Sequence, residues 1–92
     1  MTKDEIVNFI AKNSIPGAIS WGDYKKLLIL EQLLLGKLTN IPIDRETLVI
    51  YTKLNEKDLK PQLDKFIADG IISETSHHLF EDKILTLNIE ES

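Results

Sequence analysis

The 92-residue chain contains no cysteine. Disulfides, thiolate metal sites and cysteine nucleophiles are therefore excluded. Long apolar runs are also missing. Leu27–Leu30 ends at Glu31, far short of the ~20 residues a membrane span needs. The N-terminus carries Lys3, Asp4 and Glu5 before a short mixed segment, without the basic start and apolar stretch of a signal peptide. These features predict a cytoplasmic protein with no membrane contact. A basic surplus is absent too. The net charge is −4, and Arg45 is the lone arginine beside ten lysines. Free nucleic-acid binders draw much of their affinity from neutralised phosphates, and arginine is the better bidentate reader of guanine. What remains is ordinary: 42% apolar and 28% charged residues, enough for one small domain with a modest core.

Catalytic and metal constellations are equally scarce. Ser14, Ser20, Ser73, Ser76 and Ser92 lack the flanking glycines of a nucleophile elbow. No glycine loop is built to cradle phosphate. Acidic residues are common, but none stands in an apolar context that would suit general acid work. The expectation is a protein that is not an enzyme and carries no cofactor and no metal.

Hydrophobic spacing divides the chain into elements. Thr2 and Glu5 form a capping box ahead of Ile6, Phe9 and Ile10 at helical spacing. This helix should fray by Asn13, before Ile15-Pro16-Gly17. Residues 14–22 read as a loop. Trp21 within it is either a partner anchor or a lid over the core. Asp23 can cap a second helix to about Leu35, ended by Gly36. That helix is apolar on nearly every side, so more than one neighbour must cover it. The N-terminal helix is one candidate. A second copy, paired through residues 3–35, is the other.

Asp44 caps a helix over 45–53, with Thr47 three residues on. Leu54-Asn55 makes a turn, and Asn55 caps the next helix. Leu59, Leu63, Phe66 and Ile67 form its core-facing stripe, and Gly70 ends it. Pro61 falls near the sixth position, unless the helix starts at Lys60. Strands follow at 71–74 and 84–89, joined by a polar loop centred on His77-His78.

The string from Ile50 to Ile72, with Tyr51-Thr52-Lys53-Leu54 entering the turn, Leu59 and Leu63 four apart and Gly70-Ile71-Ile72 closing it, resembles the helix-turn-helix of winged-helix proteins. Regulators of the multiple-antibiotic-resistance type place a proline where Pro61 stands. Phage and plasmid replication initiators show a similar entry to the turn. The resemblance covers residues 44–89. It implies an α+β, mainly α fold: a winged helix-turn-helix with an extra N-terminal helix and a C-terminal two-stranded β-wing. The whole of 1–92 is then one domain, with an N-terminal helix and loop (1–22), first helices (23–54), a recognition helix (55–70) and a wing (71–89).

Carried onto this chain, the resemblance implies a small DNA-binding protein, either a transcription regulator or a viral or plasmid replication accessory. The contact residues would be Lys53, Lys57, Lys60, Gln62 and Lys65, with His77, His78 and Lys83 in the wing. Yet Glu56, Asp58, Asp64 and Asp69 outnumber Lys57, Lys60 and Lys65 on the same helix. Those charges equally fit a solvated face with pairs such as Lys60–Asp64. The alternative is a winged-helix module that meets a protein partner, through this acidic face, and no nucleic acid. His77, His78, Glu81 and Asp82 are of metal-ligating type, but adjacent histidines in a loop seldom converge on one ion.

Overall fold

Local capping decides where the helices begin. In the computed structural model, which describes residues 2–13 and 19–89, four helices are followed by a two-stranded antiparallel sheet. The fold is α+β and mainly α. The Ile15-Pro16-Gly17 punctuation lies outside the described residues. Helix α1 spans Lys3–Asn13, and the Glu5 N–H donates to Thr2 Oγ1 at 3.1 Å. Its Ile6 is fully buried. Burial of one such side chain is worth about 1.5–3 kcal/mol, which fastens α1 to the rest of the chain.

Helix α2 spans Trp21–Thr39, longer at both ends than its sequence predicts. Ser20 is the N-cap, accepting from the Asp23 N–H at 3.2 Å. Asp23 therefore sits in the first turn and Trp21 opens the helix. Gly36 does not end it. Asn40 does, in the left-handed region at φ 57°, the conformation that asparagine adopts most readily after glycine. Gly36 is there for closeness. A Cβ on it would lie 2.6 Å from Ile43 Cδ1 and 3.0 Å from the Ile41 carbonyl oxygen. The chain folds back at once, the Ile41 N–H donating to the Gly36 carbonyl at 2.9 Å.

Helix α3 spans Arg45–Thr52, capped by Asp44, whose Oδ1 accepts from the Thr47 N–H at 2.8 Å. It stops one residue before the expected end because Lys53 turns left-handed at φ 60°. Buried Thr52 braces that turn, donating to the Leu48 carbonyl and accepting from the Leu54 N–H. Helix α4 spans Glu56–Ala68 behind its Asn55 cap, so Pro61 is in its interior and a start at Lys60 is ruled out. Gly70 at φ 77° closes α4, with Gly70 N–H on the Ile67 carbonyl and Ile71 N–H on the Phe66 carbonyl. That is the paired-bond arrangement that favours glycine at this position.

Strands β1 (Ile72–Thr75) and β2 (Ile84–Leu87) pair in the register Ile72↔Leu87 to Thr75↔Ile84. Both differ slightly from the predicted 71–74 and 84–89. Beyond β2, Asn88 works as a clamp: its N–H donates to the Ile71 carbonyl and its amide to the Gly70 carbonyl, each at 2.8 Å. A bridge between Asp44 and Ile84, with Leu85 N–H on the Ile43 carbonyl at 2.7 Å, ties the entry of α3 to β2. The core is built on Ile6, Ile29, Leu30, Leu48, Leu63, Ile72 and Leu87, all essentially inaccessible to solvent. Leu59, Leu63 and Phe66 face it as predicted, with Ile67 at its edge. The apolar α2 runs through the middle, touching α1, α3, α4 and β2.

Candidate functional site

The loop at Lys53 sets α4 behind α3 so that α4 presents an outward face. Lys57, Lys60, Pro61, Asp64 and Lys65 are exposed on it, and Lys53 is exposed at the turn. The acids there are not all free. Arg45 Nη2 lies 3.0 Å from Asp64 Oδ1, and Lys60 Nζ lies 3.2 Å from Asp64 Oδ2. Arg45 Nε also reaches Glu74 Oε2 at 3.8 Å. The lone arginine thus joins α3 to α4 and to the hairpin. Hydrogen bonds from Arg45 and then Lys60 hold the Asp64 carboxyl below its ordinary value. The pair Lys60–Asp64 was visible at i, i+4. The Arg45 joint was not, since 19 residues separate its partners.

Gln62 does not share the outward face with the lysines. It is half-buried and turned toward α1 and α2, and its Nε2 is buried without a hydrogen-bond partner. Such an orphan donor costs about 1–3 kcal/mol if nothing accepts from it. The walls around it come from Phe9, Lys26, Leu30, Lys65, Phe66 and Asp69.

In the hairpin loop the histidines meet each other and Phe80. His77 and His78 stack with centroids 4.6 Å apart, and His77 meets Phe80 edge-on at 5.5 Å. His77 Nδ1 accepts from the Leu79 N–H at 3.1 Å, which fixes the loop conformation. Leu79 is left 74% exposed at the tip. Lys83 lies instead in the cleft between the hairpin and the α3–α4 entry. Arg45 and Lys83 share that cleft with Glu46, Glu56, Glu74 and Asp82. Four carboxylates against two cations make it acidic. Among the described residues no group of three or more histidines and carboxylates is placed to hold a metal ion. No helix among them is long and apolar enough to cross a membrane.

At the far end of α2, Leu35 (56% exposed), Ile41 (55%) and Tyr51 (52%) line a groove of ≈ 230 Å³ with Gln32 and Thr39. Leu38 and Ile50 are exposed as well. Helical periodicity shows that α2 is greasy on all sides but not which side its own chain leaves open. Trp21 behaves differently from a lid. It is exposed, stacks on Tyr24 at 5.8 Å between centroids and has Lys25 Nζ 5.6 Å above its ring.

These observations define a mainly helical α+β arrangement, with α3 and α4 joined by a short turn and a two-stranded antiparallel hairpin after them. The chain matches no protein-family model, no curated protein and no solved structure.

Proposed function

We propose that this chain is a winged-helix module that acts by gripping a protein partner. The order of elements supports the winged-helix part: α2, the strand-like 43–44 segment bridged to β2, α3, the turn at Lys53, α4 and the hairpin. The observation that carries the partner part is the exposed groove of Leu35, Ile41 and Tyr51. Contiguous exposed apolar side chains on a small domain mark interaction sites, and tyrosine is enriched among the residues that dominate such contacts. The cleft beside α4 argues in the same direction, because Glu46, Glu56, Glu74 and Asp82 would repel a phosphate backbone.

The reading as a DNA-binding regulator or replication accessory has one observation in its favour. Lys53, Lys57 and Lys60 project from the turn and the first half of α4, and Asp64 behind them is already paired. An affinity capture with nuclease treatment separates the two. The partner reading expects bound protein to survive nuclease, to be lost in the double variant Leu35→Glu/Tyr51→Glu and to be kept in Lys57→Gln/Lys60→Gln. The opposite pattern, loss with nuclease and with the lysine variant, favours the DNA reading. Sedimentation of the purified chain shows whether the partner is a second copy.

A further inference from the structure

We infer that the apolar groove at the end of α2 closes on the same groove of a second copy of this chain. The inference rests on the reading of that groove as a partner site and names the partner. Leu35, Ile41 and Tyr51 line the groove together with Gln32 and Thr39. Leu38, about one turn beyond Leu35, is exposed as well. Gln32, Leu35 and Thr39 recur along α2 at i, i+3 and i+7, so the helix offers one continuous edge.

Charge and area both select a second copy. None of the side chains lining the groove is charged. Neighbouring grooves differ. Lys37 lies in the groove beside β2, Lys26, Lys65 and Asp69 in the groove beside Phe9, and Arg45 with four carboxylates in the cleft by the hairpin. A partner of another kind is commonly selected by opposite charge, and here there is no charge to oppose. A two-fold pair sets each residue against its own counterpart or a near neighbour, so any charge in the contact would meet its like. Self-pairing therefore requires a charge-free face, and in a chain of net charge −4 this groove supplies it. The area fits the same partner. Leu35, Leu38, Ile41 and Tyr51 are each more than half exposed, and a half-exposed side chain of this size presents on the order of 100 Å². With its polar rim, a symmetric pair covers on the order of 1,000 Å², the lower limit for a specific interface. Such a pair is reversible, with a dissociation constant on the order of 10 μM.

Sedimentation equilibrium of the purified chain from 5 to 500 μM is the test. The mass should rise from one chain to two across that range. Both copies carry net charge −4, so raising salt from 50 to 500 mM should tighten the pair at least threefold by screening their repulsion. Leu35→Glu/Tyr51→Glu should stay monomeric at 500 μM. Leu38→Gln, an exchange of similar helix propensity, should weaken the pair at least tenfold. These side chains are exposed, so the melting temperature at low concentration should not change. Trp21→Gln, at an exposed aromatic near the other end of α2, should leave the association unaltered. Methyl signals of Leu35, Leu38 and Ile41 should move on dilution, and those of Leu79 at the hairpin tip should not. Association that weakens with salt, persists in Leu35→Glu/Tyr51→Glu or disappears in Trp21→Gln would overturn the assignment. A clean monomer at 500 μM would overturn it too. The partner reading is then judged separately: it survives if a nuclease-resistant protein captured by the unaltered chain is lost in Leu35→Glu/Tyr51→Glu, and it falls as well if nothing is captured.

Discussion

At the scale of single residues, Gly36 and Asp64 show how side-chain presence or charge is fixed by neighbours distant in sequence. Alanine at Gly36 brings about 1 kcal/mol of helix propensity. It also forces a methyl to within 2.6 Å of Ile43 Cδ1 and 3.0 Å of a backbone oxygen. Ile43 is only 4% exposed and has little room to move, and overpacking costs about 1–3 kcal/mol. Gly36→Ala should therefore lower the melting temperature despite its better helix propensity; an increase would mean that the 41–43 segment shifts freely. Asp64 gives a pH prediction. Its folded-state pKa lies below the ordinary 3.8 because of Arg45 first and Lys60 second. A depressed carboxylate contributes stability that is fully present above the unfolded value and is lost as pH falls through the folded one. The contribution is small, since the pair is exposed. A carboxyl-carbon titration should place Asp64 below 3.8, and Arg45→Gln should move it back upward. No movement would remove Arg45 as the cause. Of these contacts only Lys60–Asp64 was legible from spacing, because the partners of Gly36 and Arg45 are brought together only by the fold.

At the scale of elements, caps were the most legible feature. Thr2, Asp44 and Asn55 each accept the N–H predicted from short-range pattern, because a cap is decided within four residues. Termini that depend on tertiary approach were not legible. Gly36 resembles a helix stop in sequence, yet it serves the return of 41–43 against α2. Asp23 resembles a cap, but Ser20 three residues earlier takes that role and leaves Asp23 in the positive first turn. Pro61 is the element whose cost is openest to measurement. It is exposed, sits inside α4 and cannot donate to the Lys57 carbonyl. With no packing to lose, Pro61→Ala should stabilise the domain, by at most about 3 kcal/mol and by less once the added freedom of the unfolded chain is counted. Each kcal/mol corresponds to roughly 4–8 °C in melting temperature for a domain of this size. A drop on substitution would show that the ring itself holds α4 in place.

At the scale of the whole molecule, the resemblance carried by the sequence and the electrostatics point in different directions. The sequence already carried both signals: a turn entry resembling winged-helix proteins and a second helix with more acid than base. Folding adds to the second. It collects Glu46, Glu56, Glu74 and Asp82, from three separate stretches of sequence and the hairpin loop, into one cleft beside α4. It also turns Gln62, one of the contact residues the resemblance implies, away from the outward face. The apolar α2, by contrast, touches α1, α3, α4 and β2, and its C-terminal end leaves Leu35 and Leu38 exposed, as are Ile41 and Tyr51. The proposed partner reading rests on the acidic cleft beside α4 and on the exposed apolar side chains at the end of α2. The most direct measurement is a titration of the purified chain against a mixed-sequence duplex from 50 to 200 mM salt. The account predicts no binding at 50 mM and so no salt dependence. Affinity that falls linearly with log salt concentration, and that disappears in Lys57→Gln/Lys60→Gln, would contradict it.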